Sequence, residues 1–251
     1  MSERGSSSLL TAAKDKFLEI VTAEGLLDTG VAVSVTPLTA EQAIGKPKRR
    51  DLPIVEGKER VVEAKFRGVR AHAFTDSPQE FSGTLRDVLA LELSSSRNRA
   101  VFIAVLNATL RDLGMIEATL HCRDDDPEKC ATELADYVRG KWGNVSVGLI
   151  GFNPAIAEAI TQSFTPDHVR ITDLNRKNNE TVKFGVTVWD GKTQTKRLIR
   201  QSDVVLVTGT FDEIWGWIQG WSKEYIVYGV TGACVCALMG WGSMCPYSRN
   251  G

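Results

Sequence analysis

Apolar residues recur at helical spacing near the start of the chain. Leu10, Ala13, Phe17 and Val21 lie on one face of a helix that begins at Leu9. Short apolar runs around a turn at Gly68 then predict a β-hairpin. Together these patterns predict an α+β domain over residues 1–142. Its further expected elements are strands at Gly30–Val35, Val61–Phe66, Val69–Phe74 and Ile116–Cys122, and helices from Thr84, over Asn98–Leu113 and over Asp126–Arg139.

The hydrophobic pattern of the second half differs from that of the first, because buried strands alternate there with helical segments. Continuous apolar runs at Asn144–Ile150, Ser202–Val207 and from Tyr225 are typical of parallel strands that are covered on both faces. Alternation of strands and helices predicts a Rossmann-like parallel sheet over residues 143–251. The other expected elements are a helix from Pro154, a strand at Val169–Asp173, weaker extended segments at Val182–Trp189 and Lys196–Ile199, and a helix through Trp215–Ile218.

Composition and charge argue against nucleic acids and membranes as binding partners. The chain has 251 residues, is 43% hydrophobic and 24% charged, and carries a formal net charge of -1. This balance is that of a soluble globular protein and lacks the basic surface that nucleic-acid binding needs. The uncharged stretch Tyr225–Tyr247 is interrupted by glycines, so it predicts a buried strand, turn and helix rather than a membrane span.

Two features of the chain indicate its compartment. Charged residues interrupt the first helix, so a secretory signal is not expected. The five cysteines are odd in number and unevenly spaced, which argues against a disulfide framework. We therefore expect a cytoplasmic protein with reduced thiols.

Small and polar residues follow three of the strands in the second half. Because ligands bind beyond the carboxyl ends of parallel strands, these turns are candidate ligand contacts. Asp173, at the end of another strand, follows the first turn at about the 20-residue distance of the acid that accepts a ribose hydroxyl in dinucleotide folds. The Gly-x-Gly-x-x-Gly spacing is absent, and tight turns alone would also explain the glycines. The three turns contain Gly151, Phe152 and Asn153; Thr208, Gly209 and Thr210; and Thr231 and Gly232.

Two cysteines flank an acidic loop in the first half. Cys122 ends a predicted strand, and Cys130 falls in the first turn of the following helix, with His121 close by. Their sulfurs could meet at a soft metal ion, with Cys245 as a third ligand. The spacing is not that of a CxxC pair, and Asp126 is equally well explained as a helix N-cap.

A second charged loop precedes the hairpin. It contains Asp51, Gly57, Lys58 and Glu59, and such a loop could hold a ligand or metal at a domain junction. A solvated charged loop is the other interpretation.

Several motifs in order along the chain resemble the heavy-metal chelation family of bacteria and archaea, a family of largely unknown function. The resemblance implies an enolase-N-terminal-like domain followed by a Rossmann-like domain, with the site between the two. It adds Thr75 and Asn178 to the expected ligand contacts. The motifs are Asp51-Leu52-Pro53-Ile54, Gly57-Lys58-Glu59, Ala73-Phe74-Thr75-Asp76, Leu106-Asn107-Ala108, His121-Cys122, Gly151-Phe152-Asn153-Pro154, Asp203-Val204-Val205-Leu206-Val207-Thr208-Gly209-Thr210 and Tyr228-Gly229-Val230-Thr231.

Three functions remain open from the sequence. The first is binding of a metal ion or a metal-chelating small molecule in an interdomain cleft, in heavy-metal handling. The second is an enzyme with a nucleotide-type cofactor, NAD(P) or S-adenosylmethionine, in the Rossmann-like domain. The third is a non-catalytic partner protein, including a homo-oligomer, that uses the aromatic helix around Trp217 as its interface. The sequence does not decide whether the protein is catalytic.

Overall fold

The computed structural model describes residues 9–34, 40–56, 59–208, 214, 217–218, 220–221 and 223–247. Two sheets organise these residues into an α/β fold of two layered units, as the hydrophobic pattern predicted. The helices are α1 (Leu9–Ala23), α2 (Ala40–Ile44), α3 (Leu85–Ala90), α4 (Ser96–Asp112), α5 (Asp126–Trp142), α6 (Pro154–Phe164), α7 (Gly191–Gln201) and α8 (Ala233–Met239). The strands are β1 (Gly30–Val33), β2 (Arg60–Phe66), β3 (Val69–Thr75), β4 (Phe81–Thr84), β5 (Val147–Ile150), β6 (Val169–Asp173), β7 (Val182–Lys183), β8 (Val186–Asp190), β9 (Val204–Val207), β10 (Glu224–Tyr228) and β11 (Ser243–Met244).

The first sheet is antiparallel, with strand order β3-β2-β1-β4. Helix α4 covers it and is buried over most of its length because it is rich in Ala, Val and Leu, and α1 packs in the same core. The apolar face of α1 that the sequence predicted is buried, with Phe17 completely inaccessible. This unit supplies the first wall of the candidate site.

The second sheet has the order β11-β10-β9-β5-β6-β8-β7. Every neighbouring pair is parallel except β7 with β8. In chain order, its six parallel strands are arranged 3-2-1-4-5-6, the order of dinucleotide-binding folds. Helices α5 and α6 cover one face, and α7 packs on the other with Ile214 and Ile218.

The two sequence halves exchange elements. Helix α5, from the first half, packs against α6 on the parallel sheet. Helix α8, from the second half, completes the core around α1 and α4. Lys16 Nζ reinforces this by donating a 2.7 Å hydrogen bond to the carbonyl of Leu238. The predicted boundary between residues 142 and 143 stays a prediction.

Two predicted extended segments are wrong. Lys196–Ile199 lies within α7, because the Asp190 carboxylate caps that helix at the Lys192 amide (2.8 Å) and Leu198 and Ile199 bury its apolar side. Ile116–Cys122 contains a single bridge residue, Leu120. Its Thr119 hydroxyl and carbonyl bond the backbone of β3 at Arg70 and His72, which holds the segment beside the sheet without making it a strand.

The apolar stretch near the end of the chain forms β10, a 3-10 turn at Val230–Gly232 and α8. This is the strand, turn and helix that the sequence predicted. Within the described ranges, every helix is too short or too polar to traverse a lipid bilayer.

Candidate functional site

Four parallel strands end in a row of polar or small residues. The register pairs Ile150 of β5 with Thr172 of β6 and with Val207 of β9, and pairs Val207 with Val227 of β10. The residues that come next, namely Asp173, Gly151, Thr208 and Tyr228, therefore line the carboxyl edge of the sheet in that order. The sequence predicted the first three as ligand contacts and missed Tyr228.

Glu59 brings the first unit to this edge. It lies directly before β2, and burial raises the pKa of its carboxyl above the ordinary value of 4.5. The charges of Asp173 and Asp76 raise that pKa further. Among the described residues, the charged groups that act on Glu59 are thus both carboxylates, one from each unit. We call the region around Glu59, Asp76 and Asp173, where the two units meet, the acidic cleft.

Tyr228 lies close to Glu59, Asp173 and Cys130 and is 7% exposed. Burial raises the pKa of its phenol; the Thr208 side chain opposes the rise, whereas Glu59, Asp173 and Cys130 add to it. The phenol therefore stays protonated. Its hydroxyl forms no hydrogen bond of ordinary geometry with the described residues. A buried donor facing carboxylates is consistent with a place for a bound polar group.

The predicted thiol ligands approach one another beside Tyr228. The thiol of Cys130 is in hydrogen-bond contact with Cys245, and this contact, followed by burial, raises the pKa of Cys130. Cys122 is close enough to raise that pKa further. The Cys122 sulfur lies 3.4 Å from Nδ1 of His121, whose ring packs edge-on against Phe74 at 4.9 Å.

The described part of the chain provides no complete metal site. Within it, no three His, Cys, Asp or Glu side chains are grouped so that they could hold an ion. The cysteines therefore form a contacting pair with a nearby third thiol. A metal bound there would need donors from water or from its own chelator.

The Asp51 loop faces the parallel-sheet unit through Arg49. Arg49 forms a two-pronged ion pair with Asp51 at 2.7 and 2.9 Å, and it also binds Glu158 of α6. Its guanidinium lies 5.7 Å from the ring centre of Phe184, between β7 and β8. Arg49 lowers the pKa of Asp51, so this carboxylate is already paired. Sequence analysis missed Arg49 because nothing local in the chain marks its distant partner.

The turn after β10 is fixed by a buried amide. Asn107 is completely buried, and its Nδ2 donates to the carbonyls of His72 (3.4 Å) and Val230 (3.1 Å). Its Oδ1 accepts from the Cys234 amide at 3.1 Å. The Thr231 hydroxyl accepts from the Phe74 amide at 3.2 Å, so this predicted contact links the two units, and Gly232 ends the 3-10 turn. The sequence could have indicated this role of Asn107, because an asparagine within an apolar stretch of a helix needs buried hydrogen-bond partners.

Several other predicted contacts have local structural roles. The Asn153 side chain caps α6 by accepting from the amides of Ala155 and Ile156. Thr75 Oγ1 accepts from the Ser77 amide at 3.0 Å, and Phe152 packs against the α5–α6 side of the sheet. Gly57, Lys58, Gly209 and Thr210 lie outside the described residues.

Gly151 and Thr208 meet where the strand order reverses. Gly151 has φ +88°, and a Cβ built on it would lie 2.3 Å from Cγ2 of Thr208. The Thr208 side chain therefore fills the space over this glycine. A ligand at this point would contact Thr208 before it reached the Gly151 backbone.

A small cavity of about 80 Å³ opens beside β5 and β6. Gly151, Asp173, Lys192 and Trp217 are among its lining residues. Asp173 accepts from the Asn175 amide at 3.2 Å and from Nδ2 of Asn178 at 2.5 Å. The predicted contacts Asp173 and Asn178 are thus joined, and the aspartate is partly engaged by its own loop.

Comparison with known proteins supports the fold. No protein-family model matches the chain, and no curated protein matches it. A solved structure, a protein of unknown function from the DUF364 family of Desulfitobacterium hafniense DCB-2, is similar with a TM-score of 0.51. The match has 8% sequence identity and covers 72% of each chain. At this identity the similarity establishes a shared α/β fold.

Proposed function

We propose that the acidic cleft binds a metal ion or, better, a metal-chelating small molecule, and that the protein acts in heavy-metal handling. The observation that carries this proposal is the convergence of groups from both units at Tyr228. Glu59 arrives from the first unit, Asp173 from the parallel sheet, and Cys130 from α5.

Charge supports a cationic ligand. Burying Glu59 beside two other carboxylates is costly, and a bound cation would offset that cost. The phenol of Tyr228 would donate to an oxygen of the ligand, because it is buried and keeps its proton. These groups suit a ligand that carries both positive charge and acceptor oxygens.

Thiols support a soft or borderline cation. Cys130 and Cys245 are in contact, and thiolates prefer such ions over magnesium or calcium. Because the described residues lack a group of three metal-binding side chains, a chelate that brings its own donors fits better than a bare ion. We therefore place the metal at the thiol side and the organic part against Glu59 and Tyr228.

Direct binding measurements test this proposal. Metal-free protein would be titrated with Zn²⁺, Cd²⁺ and Co²⁺, each alone and as its cationic 1:1 glycine complex, by calorimetry and by cobalt–thiolate absorption. We expect tighter binding of the complexes, and at least tenfold weaker binding in the Glu59→Gln and Cys130→Ser variants. Glu63→Gln is the matched control, because Glu63 faces His72 and Arg70 rather than the cleft. Absence of saturable binding by wild-type protein would refute the proposal.

A second candidate function rests on a separate observation. The 80 Å³ cavity lies at the position where dinucleotide folds hold the ribose, and Asp173 lines it. It ranks second because ligand pockets have volumes of about 300–1,000 Å³, so Trp217 and Lys192 would have to move. Calorimetric titration with NAD, NADP and S-adenosylmethionine decides it. Binding that Asp173→Asn weakens supports it, and absence of saturable binding rejects it.

A further inference from the structure

The thiol pair offers chemistry that does not depend on what the cleft binds. Cys130 and Cys245 are in hydrogen-bond contact although 115 positions separate them in the chain. Both are half-buried, whereas Cys122, Cys234 and Cys236 are buried. A reagent from solvent would therefore reach this pair first.

Neighbouring contacts hold the two cysteines in register. Tyr247 Oη donates to Oε1 of Glu133 at 2.5 Å, and Nζ of Lys129 lies 5.9 Å from the ring centre of Tyr247. Residues 245–247 thus lie along one face of α5, over Lys129, Cys130 and Glu133. The sulfur contact belongs to a docked segment that has three separate contacts with the same helix.

We propose that Cys130 and Cys245 form a redox-active dithiol, which a low-molecular-weight disulfide oxidises to an intramolecular disulfide that locks the C-terminal segment onto α5. One cysteine thiolate attacks a sulfur of the small disulfide and displaces the first small thiolate. The second cysteine loses its proton and attacks the protein-bound sulfur, which displaces the second small thiolate. Two protein thiols are oxidised, and one small disulfide is reduced to two small thiols that take up the two protons.

The lock would join two elements of the parallel-sheet unit. Helix α5 packs on the parallel sheet, and Cys245 directly follows β11, the edge strand whose Met244 packs against the same core. Tyr228 lies close enough to Cys130 for the thiol to raise the pKa of the phenol. Oxidation would therefore restrain the wall of the cleft beside Tyr228.

The test uses the whole metal-free chain with a chelator present. Protein is equilibrated across ratios of reduced to oxidised glutathione, quenched with acid, unfolded, alkylated, and mapped by peptide mass spectrometry. We expect the number of alkylated thiols to fall from five to three on oxidation, and the Cys130 and Cys245 peptides to be joined. The melting temperature should rise by several degrees, because the bridge closes a long loop.

Variants assign the bridge. Cys130→Ser and Cys245→Ser should each abolish it, and Cys236→Ser should keep it with an unchanged midpoint ratio, because Cys236 is buried in the first core. The wild-type peptide map is decisive even if a variant fails to fold. Alkylation of both Cys130 and Cys245 at every glutathione ratio would overturn the proposal. A bridge between Cys122 and Cys130, or one between two protein molecules, would overturn it as well.

Discussion

Two glutamates four positions apart have opposite environments, although both lie at β2. Glu63 pairs with His72 at 3.5 Å and Arg70 at 3.6 Å, and the His72 hydrogen bond lowers its pKa. Glu59 is buried near Asp173 and Asp76, and its pKa is raised. The first is compensated within its own sheet. Glu59 has like charges beside it where the two units meet. This arrangement is typical of a ligand-binding group and not of a group that stabilises the fold.

The compensated polar groups should control stability, and Asn107 should have the largest effect. Asn107→Ala removes three buried hydrogen bonds that join α4, β3 and the turn before α8. We expect the free energy of unfolding to fall by about 3 kcal/mol, measured by urea denaturation. Asn98→Ala is the control, because Asn98 makes one exposed bond to the Glu92 carbonyl, and it should change stability by less than about 1 kcal/mol.

Replacement of Glu63 should be the next largest effect. Glu63→Gln leaves His72 and Arg70 without their carboxylate, so we expect a loss of about 1–2 kcal/mol at pH 6. The contribution of a carboxylate with a lowered pKa is present above 4.5 and disappears as the pH falls through the lowered value. Denaturation of wild type and variant between pH 3 and pH 7 checks this. A constant difference across that range would contradict the ion-pair explanation.

Glu59→Gln should stabilise the protein, whereas Glu63→Gln should destabilise it. The pKa of Glu59 is raised, so the folded state favours its protonated form, and stability falls as the pH rises from 4.5 through the raised value. Glutamine mimics the protonated acid, and we expect the variant to be about 1 kcal/mol more stable than wild type at pH 7. The gain should vanish below pH 4.5. A loss of stability at pH 7 would mean that Glu59 has a favourable partner, and the comparison would fail.

Tyr228→Phe should have the smallest effect on stability. The Tyr228 hydroxyl has no hydrogen bond of ordinary geometry to any residue that the structure describes, so its removal should change the free energy of unfolding by less than about 0.5 kcal/mol. Binding of the metal–glycine complex should weaken in the same variant. Tyr137→Phe is the control, because Tyr137 is exposed on α5 and its ring contacts Trp142. A large loss of stability in Tyr228→Phe would show that Thr208 bonds the phenol strongly.

Much of the fold could be predicted because hydrophobic periodicity is local information. The buried faces of α1 and α4 and the parallel strands β5, β6, β9 and β10 follow from apolar spacing. The error at Lys196–Ile199 arose because an isolated Leu-Ile pair is compatible with either a strand or a helix. The Asp190 cap, which decides for the helix, lies several residues earlier.

The candidate site could be predicted in part. The residues at strand ends, Asp173 and Thr208 among them, followed from the rule that parallel strands end at one edge. The meeting of Cys130 with Cys245 could be proposed, but the contact itself depends on how residues 245–247 dock on α5. Arg49 and Tyr228 were missed because their distant partners leave no local signal.

The sequence by itself determined the two kinds of layer and the positions where strands end, because side-chain spacing selects helix or strand within a few residues. Tertiary structure alone decided which charges are compensated. Glu59 and Glu63 have the same chemistry and almost the same place in the chain. Glu63 nevertheless lies beside His72 and Arg70, whereas Glu59 lies beside carboxylates. The reason is physical: the pKa of a carboxyl depends on burial and on nearby charges, and tertiary structure alone brings Asp173, which lies far along the chain, close to Glu59.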